Sequence, residues 1–189
     1  TVQQIFEKSS NVGVAEIINT NYFKIKSMFL QRLKSFGIDK SLNTEIPGEG
    51  RPLIKEVKEW SGITLPWMSI GYEVLMTPLQ LLTYYNAIAN NGVIVKPKFA
   101  KTLKKDGEVV QEFSPVIIKS KICSPKTVFT LQKMLEGVVE NGTARNIKSE
   151  NYKIAGKTGT VQVDYSGGSA RGHRSSFVGY FPADNPEYS

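Results

Sequence analysis

The spacing of apolar residues changes along this chain, and the change constrains the fold more than any other feature. Three segments of the first third have apolar residues at helical intervals: 2–8, 12–20 and 22–36. Gly37 follows the last of them as a stop signal. Three segments near the end are typical of strands: 152–154, 160–165 and 175–181, with a small polar turn at 166–169. Helices first and strands last predict an α+β domain with an antiparallel sheet near its end.

The middle of the chain contains clear start and stop signals. Residues 39–73 are rich in glycine and proline, which predicts a long irregular surface excursion that carries function or makes contacts. Gln80 stands three residues after Thr77, a capping-box pattern that predicts a helix ending at 91–92. An Asp-Gly pair at 106–107 predicts a hairpin turn. A Ser-Pro pair starts a second capped helix, over residues 124–142.

The composition narrows the classes of partner and chemistry. The chain has 189 residues, enough for one domain with a real core, and a net charge of +7. That surplus favours an anionic neighbour such as a membrane surface, a cell-wall polymer or nucleic acid, or is simply a solvated basic face. Nucleic acid is disfavoured because the lysines are scattered and the aromatic residues sit in apolar runs. No apolar run is long enough to span a bilayer.

Cysteine and histidine each occur once. Cys123 cannot form an intrachain disulfide or a thiol metal cluster, and we interpret it as a packed structural thiol. With His173 as the one histidine, a Ser-His-Asp mechanism and a histidine zinc site are both disfavoured. We therefore expect no metal and no cofactor.

The segment A-G-K-T-G-T at 155–160 is the strongest local motif. A phosphate-binding loop would need a glycine where Asn151 stands and a helix after the lysine, whereas 160–163 alternates like a strand. The alternative is the K-T-G motif of the serine acyl transferases that react with penicillin, which lies on a strand along the cleft. There a lysine and hydroxyl groups can bind a substrate carboxylate, and the glycine lets substrate approach the strand.

These enzymes also need an S-x-N motif, which occurs here three times: at 9–11, 41–43 and 149–151. We select the first because it lies at the break between two helical segments, where a loop that faces the cleft is expected. Further segments follow in the family's order: K-S-S-N-V-G, G-Y-E-V-L-M-T-P-L-Q-L-L, N-A-I-A-N-N-G-V, G-T-A, I-A-G-K-T-G-T-V-Q and S-S-F-V-G-Y-F-P-A. Over essentially its whole length the chain thus resembles the class B penicillin-binding proteins of the division type, which are peptidoglycan D,D-transpeptidases.

The resemblance implies a truncated penicillin-binding, serine β-lactamase-like transpeptidase fold over residues 1–189. It implies the catalytic residues Ser9, Asn11 and Lys157, and the substrate-binding residues Thr158, Gly159 and Thr160. The Thr160 backbone N–H would also contribute to the oxyanion hole. In the family's reaction, a serine attacks a D-alanine carbonyl of a stem peptide, releases the terminal D-alanine and passes the acyl group to an amine. β-Lactams imitate that peptide and leave the serine acylated.

One motif of the family is missing. The nucleophile lies in S-x-x-K, and no serine of this chain has a lysine three residues later. The family's order places that motif before Thr1, and the final strands and closing helix after Ser189. We therefore expect the whole protein to be an enzyme and this piece alone to be inactive. The resemblance also implies an N-terminal membrane anchor outside this chain, an extracytoplasmic (periplasmic) location, and partners in the division or elongation complex.

Two other hypotheses remain open. A non-catalytic β-lactam sensor or division-complex interaction module would explain the 39–73 excursion, which could expose Trp60 and Trp67. A β-lactamase or carboxypeptidase would use water as the acceptor, and the common β-lactamases need an extra glutamate in a loop. The glutamates in the loop-like region are Glu45, Glu49, Glu56 and Glu59, and each is better interpreted as solvated surface charge.

Overall fold

The computed structural model describes residues 1–162 and 172–189. The helices of this part are α1 (Val2–Glu7), α2 (Asn11–Tyr22), α3 (Lys26–Ser35), α4 (Thr64–Ser69), α5 (Pro78–Ala89) and α6 (Pro125–Glu140). The strands are β1 (Leu53–Ile54), β2 (Val74–Leu75), β3 (Ile94–Val95), β4 (Thr102–Lys105), β5 (Glu108–Glu112), β6 (Ile117–Lys119), β7 (Ala155–Gln162) and β8 (His173–Tyr180). None of these helices is long and apolar enough to cross a membrane.

The predicted starts of α5 and α6 are confirmed. The Thr77 hydroxyl accepts the Gln80 backbone N–H at 3.1 Å, and the Gln80 side chain accepts the Thr77 N–H at 2.8 Å. This reciprocal pair satisfies N–H groups that the first turn of α5 leaves without helical partners. The Ser124 hydroxyl accepts the Thr127 N–H at the start of α6. Both helices have proline in the first turn, where its missing N–H costs nothing.

The last strands form an antiparallel pair, as predicted. β7 and β8 pair without a break from Ala155 opposite Tyr180 to Gln162 opposite His173. Helices α5 and α6 pack against this pair, and Leu135 of α6 lies fully buried against Ala155 and Tyr180. The β7–β8 pair is therefore packed against both helices.

A second hydrophobic cluster joins the early helices to the middle of the chain. Phe29 of α3 packs with Leu65 and Met68 of α4, and all three side chains are buried. Trp60 lies edge-on to Phe29 with ring centroids 6.5 Å apart. Burial of this kind contributes about 1.5–3 kcal/mol for each large apolar side chain. The cluster therefore packs α2, α3 and α4 together.

The structure corrects the prediction for residues 39–73. Instead of being irregular throughout, this segment contains β1, a 3₁₀ turn at Val57–Glu59, and α4. Trp60 is half-buried and its indole N–H donates to the Lys55 carbonyl at 3.0 Å, so it is not an exposed aromatic. Trp67 is 45% exposed, as expected.

Two helix and strand boundaries were also wrong. The predicted helix over 22–36 is interrupted by a 3₁₀ turn at Phe23–Ile25. Residues 152–154 do not form a strand, and the strand predicted from residue 160 begins earlier, at Ala155, so that β7 contains the whole lysine motif. The polar turn predicted at 166–169, and the end of the strand before it, lie outside the described residues.

The hairpin prediction is confirmed. β4 and β5 pair across a turn at Asp106 and Gly107, whose φ angles are +52° and +87°. Two successive residues with positive φ are what a tight two-residue hairpin of this twist requires.

Candidate active site

The S-S-N segment forms the connection between α1 and α2. The Ser10 hydroxyl accepts the Gly13 N–H at 3.2 Å and so caps α2, which begins at Asn11. Ser9 has a φ of +53°, a left-handed conformation that costs a non-glycine residue free energy. The turn therefore holds Ser9 in a strained conformation between two helices, as functional loops often do.

The lysine motif occupies the middle of β7. In the part of the chain that the structure describes, β7 pairs with β8 on one side and has no strand on the other. Lys157 is half-buried, and its ammonium group donates to the Thr158 carbonyl at 3.2 Å. Burial lowers the pKa of Lys157 because a charged ammonium loses hydration there. The group is thus easier to deprotonate than an exposed lysine.

The S-S-N turn and the lysine strand face each other across a cavity of about 670 Å³. Its walls come from the start of the chain, residues 69–72, α5, β7 and β8. The six residues selected from the sequence all line it: Ser9, Asn11, Lys157, Thr158, Gly159 and Thr160. The fold thus brings together two motifs from opposite ends of the chain.

The other two S-x-N matches lie elsewhere. Ser41 and Asn43 line a separate cavity beside Phe36 and Tyr84. Ser149 and Asn151 line a third, near Tyr152. Position in the fold therefore agrees with the choice of residues 9–11.

The cavity has a positive electrostatic character. Among the described residues that line it, Lys157 and Arg174 are cationic and none is acidic. Hydroxyl groups of Ser175 and Ser176 add donors on the β8 side. Cations and hydroxyls without a competing carboxylate suit a ligand that carries a carboxylate of its own.

Several lining residues were not selected from the sequence. Arg174 reaches the cavity because it pairs with Val161 across the two strands, a register that the sequence does not reveal. Tyr72 lies at the wall and its ring is 5.2 Å from that of Trp67. It stands within the G-Y-E-V segment, which carries part of the resemblance to the family but does not by itself indicate a role for the tyrosine.

The glutamates considered as bases have other surroundings. None of the four lines the cavity. The Glu49 carboxylate accepts backbone N–H groups of Leu42 and Thr44, which holds its own loop together. Glu56 forms an ion pair with Lys34. The geometry therefore gives no support to a loop glutamate that activates water.

Comparison with known proteins decides the family. The model of the penicillin-binding protein transpeptidase domain matches residues 1–189. The chain belongs to this family. It is 35% identical to penicillin-binding protein PbpB of Mycolicibacterium smegmatis, over 100% of this chain and 30% of that protein. It is 30% identical to stage V sporulation protein D of Bacillus subtilis, over 98% of this chain and 29% of that protein.

Solved structures agree with the assigned fold. Penicillin-binding protein 3 of Mycobacterium tuberculosis, solved in complex with aztreonam, superposes with a TM-score of 0.82 at 33% identity, covering 100% of this chain and 43% of that one. The transpeptidase domain of Burkholderia pseudomallei penicillin-binding protein 3 gives 0.79 at 28% identity, covering 98% and 53%. The resemblance to division-type transpeptidases and the α+β fold are thus confirmed. The chain spans about a third of the curated relatives' length.

Proposed function

We propose that this chain is part of a peptidoglycan D,D-transpeptidase that cross-links stem peptides by serine acyl transfer and is a target of β-lactams. The observation that carries the proposal is the shared cavity, in which the S-x-N turn and the K-T-G strand meet without an acidic neighbour. A stem peptide and a penicillin both present a carboxylate, and that group would lie beside Lys157 and the hydroxyls of Thr158 and Thr160.

The proposed roles follow from the chemistry of each group. Ser9 and Lys157 relay protons during acyl transfer, and the lowered pKa of Lys157 favours that use. Asn11 offers amide hydrogen bonds to the bound peptide. Gly159 leaves room for substrate along the strand, and the Thr160 N–H donates to the developing oxyanion.

The acylated serine belongs to a different segment of the protein in this proposal. No S-x-x-K sequence occurs in residues 1–189, so the nucleophile and its lysine must come from outside them. We propose that the full-length protein is held at the extracytoplasmic face of the cell membrane by an anchor, and works with the division or elongation complex. Residues 1–189 alone are expected to be inactive.

The test is labelling of the full-length protein with a fluorescent penicillin. Lys157→Ala should slow labelling by at least about a hundredfold, the usual scale for losing a proton-transfer group. Asn11→Ala loses amide hydrogen bonds and should slow labelling by about tenfold. Lys121→Ala is the matched control, because Lys121 is an exposed lysine that does not line the cavity. Equal labelling of the Lys157→Ala variant and the wild type would refute the assignment.

A second assay separates the enzyme from the sensor. The wild-type protein should release D-alanine from a stem-peptide analogue when an amine acceptor is present. Labelling by penicillin without any such release would instead favour the β-lactam sensor.

A further inference from the structure

The end of helix α6 contacts both motif-bearing segments of the cavity. The backbone N–H of Thr143, three residues beyond α6, donates to the carbonyl of Glu7 at 3.1 Å. The Thr143 hydroxyl shares a hydrogen bond of 2.6 Å with the hydroxyl of Thr158. One residue thus touches both the segment that leads into the S-S-N turn and the strand that carries K-T-G.

The contact with Glu7 is tight and specific. Glu7 is 7% exposed, and its carboxylate accepts the Gln3 side-chain amide at 2.7 Å. It lies against two glycines: a Cβ at Gly137 would stand 2.2 Å from the Glu7 carboxylate, and one at Gly142 would stand 2.3 Å from the Glu7 carbonyl. A side chain at Gly137 would displace the Glu7 carboxylate, and one at Gly142 would collide with the Glu7 backbone. The glycines therefore let the end of α1 seat directly on α6.

The Thr143 side chain differs from that of Glu7 in its exposure to solvent. It is exposed, so its methyl and hydroxyl groups add little to the core. Its hydroxyl nevertheless occupies one side of the Thr158 hydroxyl, which lines the cavity. A hydroxyl has one proton to donate and two lone pairs that can accept. When the bond to Thr143 uses one of these positions, the other positions of the Thr158 hydroxyl are left for a ligand. The hydrogen bond thus orients a group of the cleft from outside it.

We propose that Thr143 is a positioning residue of the acyl-transfer cleft. Through its N–H it ties the end of α1, two residues before Ser9, to α6, and through its hydroxyl it orients Thr158 for the substrate carboxylate. The inference rests on the proposed function, since it assigns Thr143 a part in the same reaction.

The experiment compares Thr143→Val and Thr143→Ser in the full-length protein. Valine keeps the shape but loses the hydroxyl, whereas serine keeps the hydroxyl. The rate constant of acylation by penicillin should fall about fivefold to tenfold in the valine variant, the effect of one lost hydrogen bond. The serine variant should stay within about twofold of wild type, and both should melt at the wild-type temperature because the side chain is exposed.

A double-mutant cycle tests whether Thr143 acts through Thr158. If the hydrogen bond is the link, Thr143→Val should add almost nothing to the loss already caused by Thr158→Val. The inference would be overturned if the losses of the two single variants were additive, or if Thr143→Val were acylated at the wild-type rate. It would also be overturned if Thr143→Ser were acylated as slowly as the valine variant. Absence of labelling in the wild type would instead refute the proposed function, and this inference with it.

Discussion

Replacing Gly156 with alanine is a demanding test of the β7–β8 packing. An alanine Cβ would stand 2.3 Å from Cζ of Phe177 and 2.6 Å from the carbonyl oxygen of Val178, where ordinary contact begins at 3.4 Å. The Phe177 ring is 41% exposed and can turn outward at small cost. The Val178 carbonyl belongs to the paired strand and cannot move without disturbing the ladder.

We therefore expect Gly156→Ala to destabilise the domain. Overpacking costs about 1–3 kcal/mol, and the smaller entropy of the unfolded alanine chain offsets part of it. A net loss of about 2 kcal/mol corresponds to a melting temperature lower by about 2–4 °C, because this chain covers only 53% of the solved transpeptidase domain that it matches and the larger unit unfolds as a whole. Acylation should slow as well, because Lys157 follows directly in the distorted strand.

The assay is calorimetric unfolding of the full-length protein, followed through the transition of the transpeptidase domain. Gly62→Ala is the matched control, since a Cβ there would meet no atom within 4 Å and the φ angle is not positive. That variant should be as stable as wild type, or more stable by up to about 1 kcal/mol. If Gly156→Ala melts at the same temperature as the wild type, the two strands do not pack as closely as described.

Three further outcomes are expected from urea or pH titrations of stability. Thr77→Ala removes the α5 cap and should cost about 1 kcal/mol, whereas Thr20→Ala on the exposed surface of α2 should cost nothing. Leu135→Ala, at a fully buried site, should cost about 2–5 kcal/mol; a smaller loss would contradict the packing of α6 on the sheet. Hydrogen bonds from Lys133 and then from Lys153 lower the pKa of Glu136. Its contribution is present above the ordinary glutamate pKa of about 4.3 and lost as the pH falls through the lowered value, so Glu136→Gln should flatten the stability profile in that acidic range.

Local chemistry made part of the fold predictable. The cap at Thr77 and the hairpin turn at Asp106 depend on a few adjacent residues, and both were found correctly. The strand that contains Lys157 was placed too late, because its first residues include two glycines and a lysine that carry little strand propensity. Pairing with β8 makes them a strand, and such pairing is a tertiary effect.

The site was predictable to the extent that it repeats family motifs. Ser9 and Lys157 were selected from short patterns, and the fold places both at one cavity. Arg174 and Thr143 were not selected, because their positions depend on strand register and on how α6 ends. The packing of Glu7 against Gly137 and Gly142 could not be predicted from the sequence, because the sequence does not show which helix those glycines face.

The most direct test of the account is the site of acylation. The full-length protein would be incubated with excess penicillin, its intact mass measured, and the modified peptide identified by fragmentation. The account predicts one adduct, on a serine of an S-x-x-K sequence outside residues 1–189, and none on the Lys157→Ala variant in the same time. An adduct on Ser9 or on another serine of this chain, or no adduct at all, would contradict it.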